Sequence, residues 1–422
     1  MTNSNKKGNI LVYADWQGLP GPSFIGTLSA DLLKGKEIFA FAYAEEWLNS
    51  SNSQSLDPDL QLYPGRQFLK DYKANFGMFM DSSPDRWGRF LIKRKEAIMA
   101  RKQERKQITL LESDFLLRVY DSNRIGALRF KTEAGGPFLN DEHEFAAPPW
   151  VLLRDLEYAV VQLEKEDIGN EDELKWLNML IAPGSSLGGA RPKASVTDPT
   201  GNLWIAKFPS AEDEIDTGAW EMVVHELAAN AGIDVAPAMI KKLSGKHHTF
   251  LTLRFDRVHQ TQRIHFGSAM TLLGYTDGAD HNDGVSYLEL AAFIQKNGVR
   301  VDENLKQLWK RIAFNILVKN TDDHLRNHGF LLTPSGWELS PAFDMNAVPT
   351  GTGLTLNITD DDNSLDLELV KEVAQYFRIS KQEASTEIAN LKSVVADWRK
   401  IAAKYKLAER QKEYMSAAFY SY

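Results

Sequence analysis

The sequence predicts an α+β protein in three stretches: a β-plus-helix module, a strand-rich lobe and a helix-rich lobe. Three observations carry this. Residues 10–43 read as short strands between turn signals: ILVYADW, GLPGPSFIGTL and EIFAFAYA. Residues 192–197, 203–208 and 249–255 read as further strands, around an amphipathic helix at 217–231. From 286 onward the pattern is mainly helical, broken by a polar loop and short strands at 329–347. Segment 131–150, KTEAGGPFLNDEHEFAAPPW, is rich in Gly, Pro and acids and reads as a linker. The expected organisation is therefore 1–135, a linker at 136–150, and 151–422.

The bulk properties fit this. A chain of 422 residues is long for one core. Hydrophobic residues at 43% and charged residues at 25% indicate an ordinary globular protein. The absence of Cys excludes disulfides and thiolate metal sites and fits a reducing compartment. A net charge of -8 argues against attraction of the whole surface to nucleic acid. No apolar run approaches a membrane span, and MTNSNKKGNILVYADW lacks the apolar core of a signal peptide. A cytoplasmic protein with no membrane partner is expected. Residues 81–96 open with the cap-type residues Asp81, Ser82 and Ser83, then Pro84, and continue as DRWGRFLIKRKE, so they read as a helix. The basic continuation, 93–106, is expected to be a solvated face; contact with an acidic partner or nucleic acid is the sharper alternative.

The helix at 304–320, NLKQLWKRIAFNILVKN, repeats Leu305, Leu308, Trp309, Ile312, Ala313, Ile316 and Leu317 at three- and four-residue steps. That stripe anchors it in a core. At its foot comes TDDHLRN. Asp322 and Asn327 have the D-x-x-x-x-N spacing of the protein-kinase catalytic loop. There a carboxylate aligns the attacking hydroxyl, and a neutral amide holds Mg²⁺ without adding charge. In isolation the plainer reading is stronger, because Asp, Asn and His cap helices and make turns routinely. Thr321 and Asp323 are expected to be caps, and Arg326 has no assigned role.

The context changes the balance. Asp344, in WELSPAFDMNAV, lies downstream after a strand-like stretch, where a kinase carries its second acidic metal ligand; a turn Asp capping an amide is the alternative. Upstream, IAPGSSLGGARPKASV (181–196) offers Gly184, Gly188 and Gly189, whose amides suit an anion. Ala190-Arg191 follows where a Walker A loop has Lys-Ser/Thr, so that reading fails. Lys193 lies on the next strand. Lys207 stands between apolar residues in NLWIAKFP, where an ammonium needs a partner. Phosphate is one candidate. Glu221 is the other, at the edge of the Trp220, Val223, Val224, Leu227 and Ala231 stripe; Glu226 is a weaker candidate. The bland alternative is an edge-strand lysine with its head in water. HEXXH, calcium-loop and zinc-ligand patterns are absent.

GSSLGGARPKASV, WIAKFP, LTLRFDR, NTDDHLRN and LSPAFDMN occur in this order, after MDSSPDRWGR (80–89) and DSNRIGALRF (121–130). With these motifs the chain resembles the HipA-type serine/threonine kinases of bacterial type II toxin–antitoxin systems, over roughly residues 10–420. The resemblance implies a protein-kinase-like two-lobed core, β-rich then helical, using ATP and Mg²⁺. It implies Asp322 as catalytic aspartate, with His324 supporting the loop or the phosphoryl group. It implies Asn327 and Asp344 as Mg²⁺ ligands. Lys207 would anchor ATP, Lys193 would close the Gly-rich loop containing Ser186, Gly188 and Gly189, and Leu253 and Phe255 would contact adenine. Leu253 replaces the glutamate common in the family hinge, which removes a side-chain contact. Ser186 matches a serine that is autophosphorylated; a phosphate there carries about −1.5 to −2 charges and would repel ATP.

The implied function is phosphorylation of a protein Ser or Thr, inhibiting translation through a target such as an aminoacyl-tRNA synthetase. The implied partner is a small helix-turn-helix antitoxin, with DNA reached only through it. A catalytically inactive kinase-like scaffold and a small-molecule kinase remain alternatives.

Overall fold

A computed structural model describes residues 8–70, 72–142, 147–164, 172–181, 191–258 and 262–419. The chain forms two compact units. One comprises Met1–Ile205 with Asp256–Thr276, the other Ala206–Phe255 with Asp277–Tyr422.

The first unit contains a five-stranded antiparallel sheet. Its strands are β1 (Ile10–Ala14), β2 (Ser23–Leu33), β3 (Lys36–Tyr43), β4 (Arg66–Phe68) and β5 (Leu128–Lys131), in the order β4-β3-β2-β1-β5. β1 buries Ile10, Val12 and Ala14 and leaves Leu11 and Tyr13 partly open, the period-two pattern of a strand with one core face. β2 and β3 pair from Gly26 with Tyr43 to Leu33 with Lys36. The two residues between them, Lys34 (φ 48°) and Gly35 (φ 82°), are both left-handed. That is the turn whose twist matches two antiparallel strands. Phe79 bridges the sheet, 5.7 Å from the Phe41 ring and 5.9 Å from Phe130.

One cation organises the loops beside this sheet. Arg124 is wholly buried and donates to the carbonyls of Ser82, Leu116, Val119 and Leu139 at 2.7–3.0 Å. Burial pulls its guanidinium down to about 9. The helix Arg86–Lys102 starts later than the cap-type residues at 81–83 suggest: Asp81 closes the preceding helix Gly77–Asp81, and the cap is Asp85, which accepts from the Gly88 amide at 2.8 Å. Its basic run is not purely a solvated face. Arg94 pairs with Glu173 and Arg105 with Glu96, each at 2.6 Å. These guanidiniums are spent on the unit's own packing.

In the second unit, helix Val301–Leu317 buries the whole predicted stripe, together with Phe314, Arg311 and Asn315. Helix Thr217–Asn230 is capped by Asp216, whose carboxylate accepts from the Ala219 and His248 amides. It runs so close to the next segment that a Cβ at Gly218 would meet the His248 carbonyl at 2.3 Å. Trp220 packs with Trp398 and Phe419, and the last two stack at 4.6 Å. Strand Ala238–Lys241 pairs antiparallel with Thr249–Leu253, and Gly329–Thr333 with Gly336–Leu339. Among the described residues, no helix is long and apolar enough to cross a membrane.

Candidate active site

The polar loop begins with how helix Val301–Leu317 stops. Lys319 is left-handed (φ 46°), its amide bonds the Ile316 carbonyl at 3.2 Å, and the Asn320 amide bonds the Asn315 carbonyl at 2.8 Å. This pair of bonds is a Schellman ending. It fixes the angle at which TDDHLRN leaves the helix.

Asp322 is exposed, and its carbonyl accepts from the His324 amide and from Asn327 Nδ2, both at 3.0 Å. The five-residue spacing thus closes on itself. With Nδ2 pinned, Asn327 Oδ1 is buried and has no hydrogen-bond partner. His324 is half-buried with Nδ1 likewise unbonded. Arg326 pairs with Asp277 at 3.0 Å.

Asp323 is not a cap. It is 4% exposed, and its Oδ2 accepts from Tyr287 Oη (2.6 Å), Asn315 Nδ2 (2.8 Å) and His328 Nε2 (2.8 Å). Burial alone would push its carboxyl up. The His328 and Tyr287 contacts outweigh this and hold it below the usual carboxylate range. Burial and the adjacent Asp323 charge push the Tyr287 hydroxyl well up. Sequence reasoning missed this hub, although Asn315, a polar residue within a buried apolar run, was a visible signal.

Asp344 is left-handed (φ 56°), a conformation that asparagine and aspartate tolerate better than other side chains. Its Oδ1 accepts from Lys207 Nζ at 2.5 Å and from Asn346 Nδ2 at 3.1 Å. Lys207 is 7% exposed and also donates to Glu221 at 2.6 Å. Burial alone would pull this ammonium down; the carboxylates of Asp344 and Glu221 outweigh it and hold the pKa above the usual lysine value. Glu226 instead meets Lys404 and Tyr405.

The structure therefore joins Lys207, Glu221 and Asp344 directly, and Asp322 with Asn327. Two bonds stitch these groups together: Asn346 N to Asn320 Oδ1 at 3.1 Å, and Val348 N to the Lys319 carbonyl at 3.0 Å. Leu253 ends its strand with its amide bonded to the Pro237 carbonyl at 2.8 Å, and Phe255 packs 5.6 Å from Phe343, next to Asp344. Lys193 belongs to the other unit. Its ammonium is 2% exposed and bonded to Asp85 at 2.8 Å, and its carbonyl accepts from Trp87 Nε1. Ser186, Gly188 and Gly189 lie outside the described residues.

Could these groups hold a divalent metal? Among the described residues, no three His, Asp or Glu side chains are grouped to hold one. The unbonded Asn327 Oδ1 and the Asp344 carboxylate are instead an amide and an acid oxygen, the hard donors that Mg²⁺ takes alongside water and phosphate.

Residues 185–398, half of the chain, match the family model of the HipA-like C-terminal domain. The chain belongs to this family. Over 184 residues it is 27% identical to a putative kinase of Haemophilus influenzae, covering 39% of this chain and 53% of the relative. Over 233 residues it is 30% identical to the serine/threonine-protein kinase toxin HipA of Shewanella oneidensis, covering 48% and 52%. The chain thus spans about half the length of these two curated relatives. Among solved structures, HipA in the Shewanella oneidensis toxin–antitoxin complex of HipA, HipB and operator DNA superposes with a TM-score of 0.65. That match has 19% identity and covers 97% of this chain and 94% of the other. The mixed α and β fold is therefore that of HipA, in line with the α+β expectation.

Proposed function

We propose that this HipA-family chain is a Mg-ATP-dependent serine/threonine protein kinase, acting as the toxin of a toxin–antitoxin pair. One observation carries the reading: a buried Lys207 bridges Glu221 and Asp344, and the Asp344 segment is bonded to the loop holding Asp322 and Asn327. A metabolic enzyme built around a buried acid–base pair has no need of that combination. Phosphoryl transfer of the protein-kinase type uses all of it.

When bound, Mg²⁺–ATP supplies the transferable phosphoryl group and the cation that neutralises its charge. Lys207 would hold phosphate oxygens, with Glu221 fixing the ammonium. Asn327 Oδ1 and Asp344 would hold the metal. Asp322, exposed at the loop, would accept the hydrogen bond of the incoming hydroxyl and align it. His324 would support the loop or the phosphoryl oxygens. Leu253 and Phe255 would border the base; a phosphate role for Lys193, Ser186, Gly188 and Gly189 rests on the family resemblance alone, and the Lys193 ammonium is bonded to Asp85. Since the Leu253 amide is already bonded to Pro237, its carbonyl is the group left for a base edge. Phosphorylation of Ser186 would repel ATP and switch the enzyme off. A helix-turn-helix antitoxin is the proposed partner, with DNA reached through it. A translation component such as an aminoacyl-tRNA synthetase is the proposed target.

The test is incubation with labelled ATP and Mg²⁺, with and without cell lysate, comparing wild type and Asp322→Asn. Label on protein, reduced at least about a hundredfold in the variant, is expected. Label on small molecules alone would replace the protein substrate with a metabolite. No label in any fraction would leave a nucleotide-binding scaffold.

A further inference from the structure

Asp323 lies next to the proposed catalytic aspartate but faces away from solvent, and three parts of the second unit converge on it. Tyr287 opens helix Tyr287–Asn297, Asn315 lies in the last turns of helix Val301–Leu317, and His328 precedes strand Gly329–Thr333. All three donate to a single oxygen, Oδ2. A neutral amide oxygen serves such a cluster poorly; an ionised carboxylate serves it well, because charge-assisted bonds are roughly twice as strong as neutral ones.

The bonds continue beyond the hub. Asn315 gives its Nδ2 to Asp323, and its Oδ1 accepts from Asn320 Nδ2 at 3.1 Å. Asn320 Oδ1 then accepts the Asn346 amide, and Asn346 Nδ2 reaches Asp344. Asn315 and Asn320 are 2% and 1% exposed, so water does not readily replace their partners. One turn before Asn315, on the same helix face, Arg311 donates to the Ser340 carbonyl at 2.6 Å, four residues before Asp344. The helix thus grips both functional loops from a single polar stripe in an otherwise apolar core.

We propose that Asp323 is a positioning residue, whose buried carboxylate sets the loop of Asp322 and Asn327 in register with the Asp344 segment through Asn315 and Asn320. What is being positioned rests on the kinase reading. The coupling between the two loops does not.

The experiment compares full-length wild type with Asp323→Asn by amide hydrogen exchange, without ligands. The Asn346 amide, 23 residues away in sequence, should exchange about tenfold faster in the variant, while helix Lys381–Ala396 is unchanged. No change at 346, or an equal rise throughout 381–396, overturns the proposal. If Asp323→Asn does not fold, Tyr287→Phe removes one donor, leaves the carboxylate, and should move the same amide in the same direction. A second arm titrates Mn²⁺ in the presence of a non-hydrolysable ATP analogue. Affinity should fall about tenfold in Asp323→Asn, with metal-free nucleotide binding changed less than about twofold. If wild type takes up no Mn²⁺ while the 346 amide responds, the kinase reading fails and the coupling stands. If the amide does not respond, the coupling fails whatever the metal does.

Discussion

Replacing Lys207 with methionine tests whether its bridge is an energetic element of the fold. Methionine keeps most of the apolar stem but removes the ammonium, which lies 5.8 Å from the centroid of the Phe250 ring. Glu221 and Asp344 then face each other. Both oxygens touch the same nitrogen, so they lie about 5 Å apart or less; at an effective dielectric near 20 their repulsion is about 3 kcal/mol. Removing one partner from a buried ion cluster generally costs about 3–5 kcal/mol. The same range is expected here at pH 7.5, since the three side chains are only 5–19% exposed. The pH dependence has a definite sign. In wild type the Lys207 pKa is raised, so its stabilising contribution is full at neutral pH and is lost only in strong alkali. In the variant, the crowded carboxylates favour proton uptake by the folded state. The deficit is therefore full at neutral pH and shrinks as pH falls toward about 4. Urea unfolding followed by circular dichroism at pH 7.5 and pH 5 measures both effects. Adding Glu221→Gln to Lys207→Met should recover about half of the loss. A Lys207→Met protein within about 0.5 kcal/mol of wild type at pH 7.5, or a deficit that is the same at pH 5, refutes the reasoning.

Two other changes probe the first unit. Arg124→Leu strips a shared donor from four carbonyls and should cost more than about 4 kcal/mol, seen as loss of the folded first unit in limited proteolysis. Burial pulls His265 down to about 3, so the unfolded chain binds its proton first as pH falls. That contribution to stability is full above about 6.5 and declines below it, by about 2 kcal/mol at pH 5. Asp81, pushed up to about 6 by burial, works in the opposite sense, so the difference between wild-type and His265→Phe unfolding curves isolates the histidine; identical pH profiles would refute it.

What the sequence revealed follows from how locally each feature is encoded. β1 alternates every second residue, and the helix Val301–Leu317 carries seven apolar residues on one stripe, so both were legible from neighbours alone. The edge position of Glu221 on its helix likewise separates it from Glu226, which turns to Lys404. The strands Arg66–Phe68 and Ala238–Lys241 were missed because three or four residues are too few for a period to stand out in the sequence. The role of Asp323 was misread as a cap because its donors sit at 287, 315 and 328. Sequence distance hides them, and an Asp after a helix ordinarily caps or turns. The ion pairs of the basic stretch were hidden similarly, since Glu173 lies 79 residues from Arg94.

The Arg124 cluster also says where this chain can be interrupted. Exposed connections usually accept an inserted tag or a cut, because their backbone bonds mainly to water. Residues 133–135 are of that kind. A few positions on, the Leu139 carbonyl belongs to the buried guanidinium, and the Asn140 amide and carbonyl belong to Val119 and Asp121. An epitope placed at 134 should leave the fold intact, whereas the same epitope at 139 would pull one carbonyl out of a junction shared with those of Ser82, Leu116 and Val119. Two sites five residues apart on the same connection thus differ in kind: one is a place to attach things, the other is part of the frame.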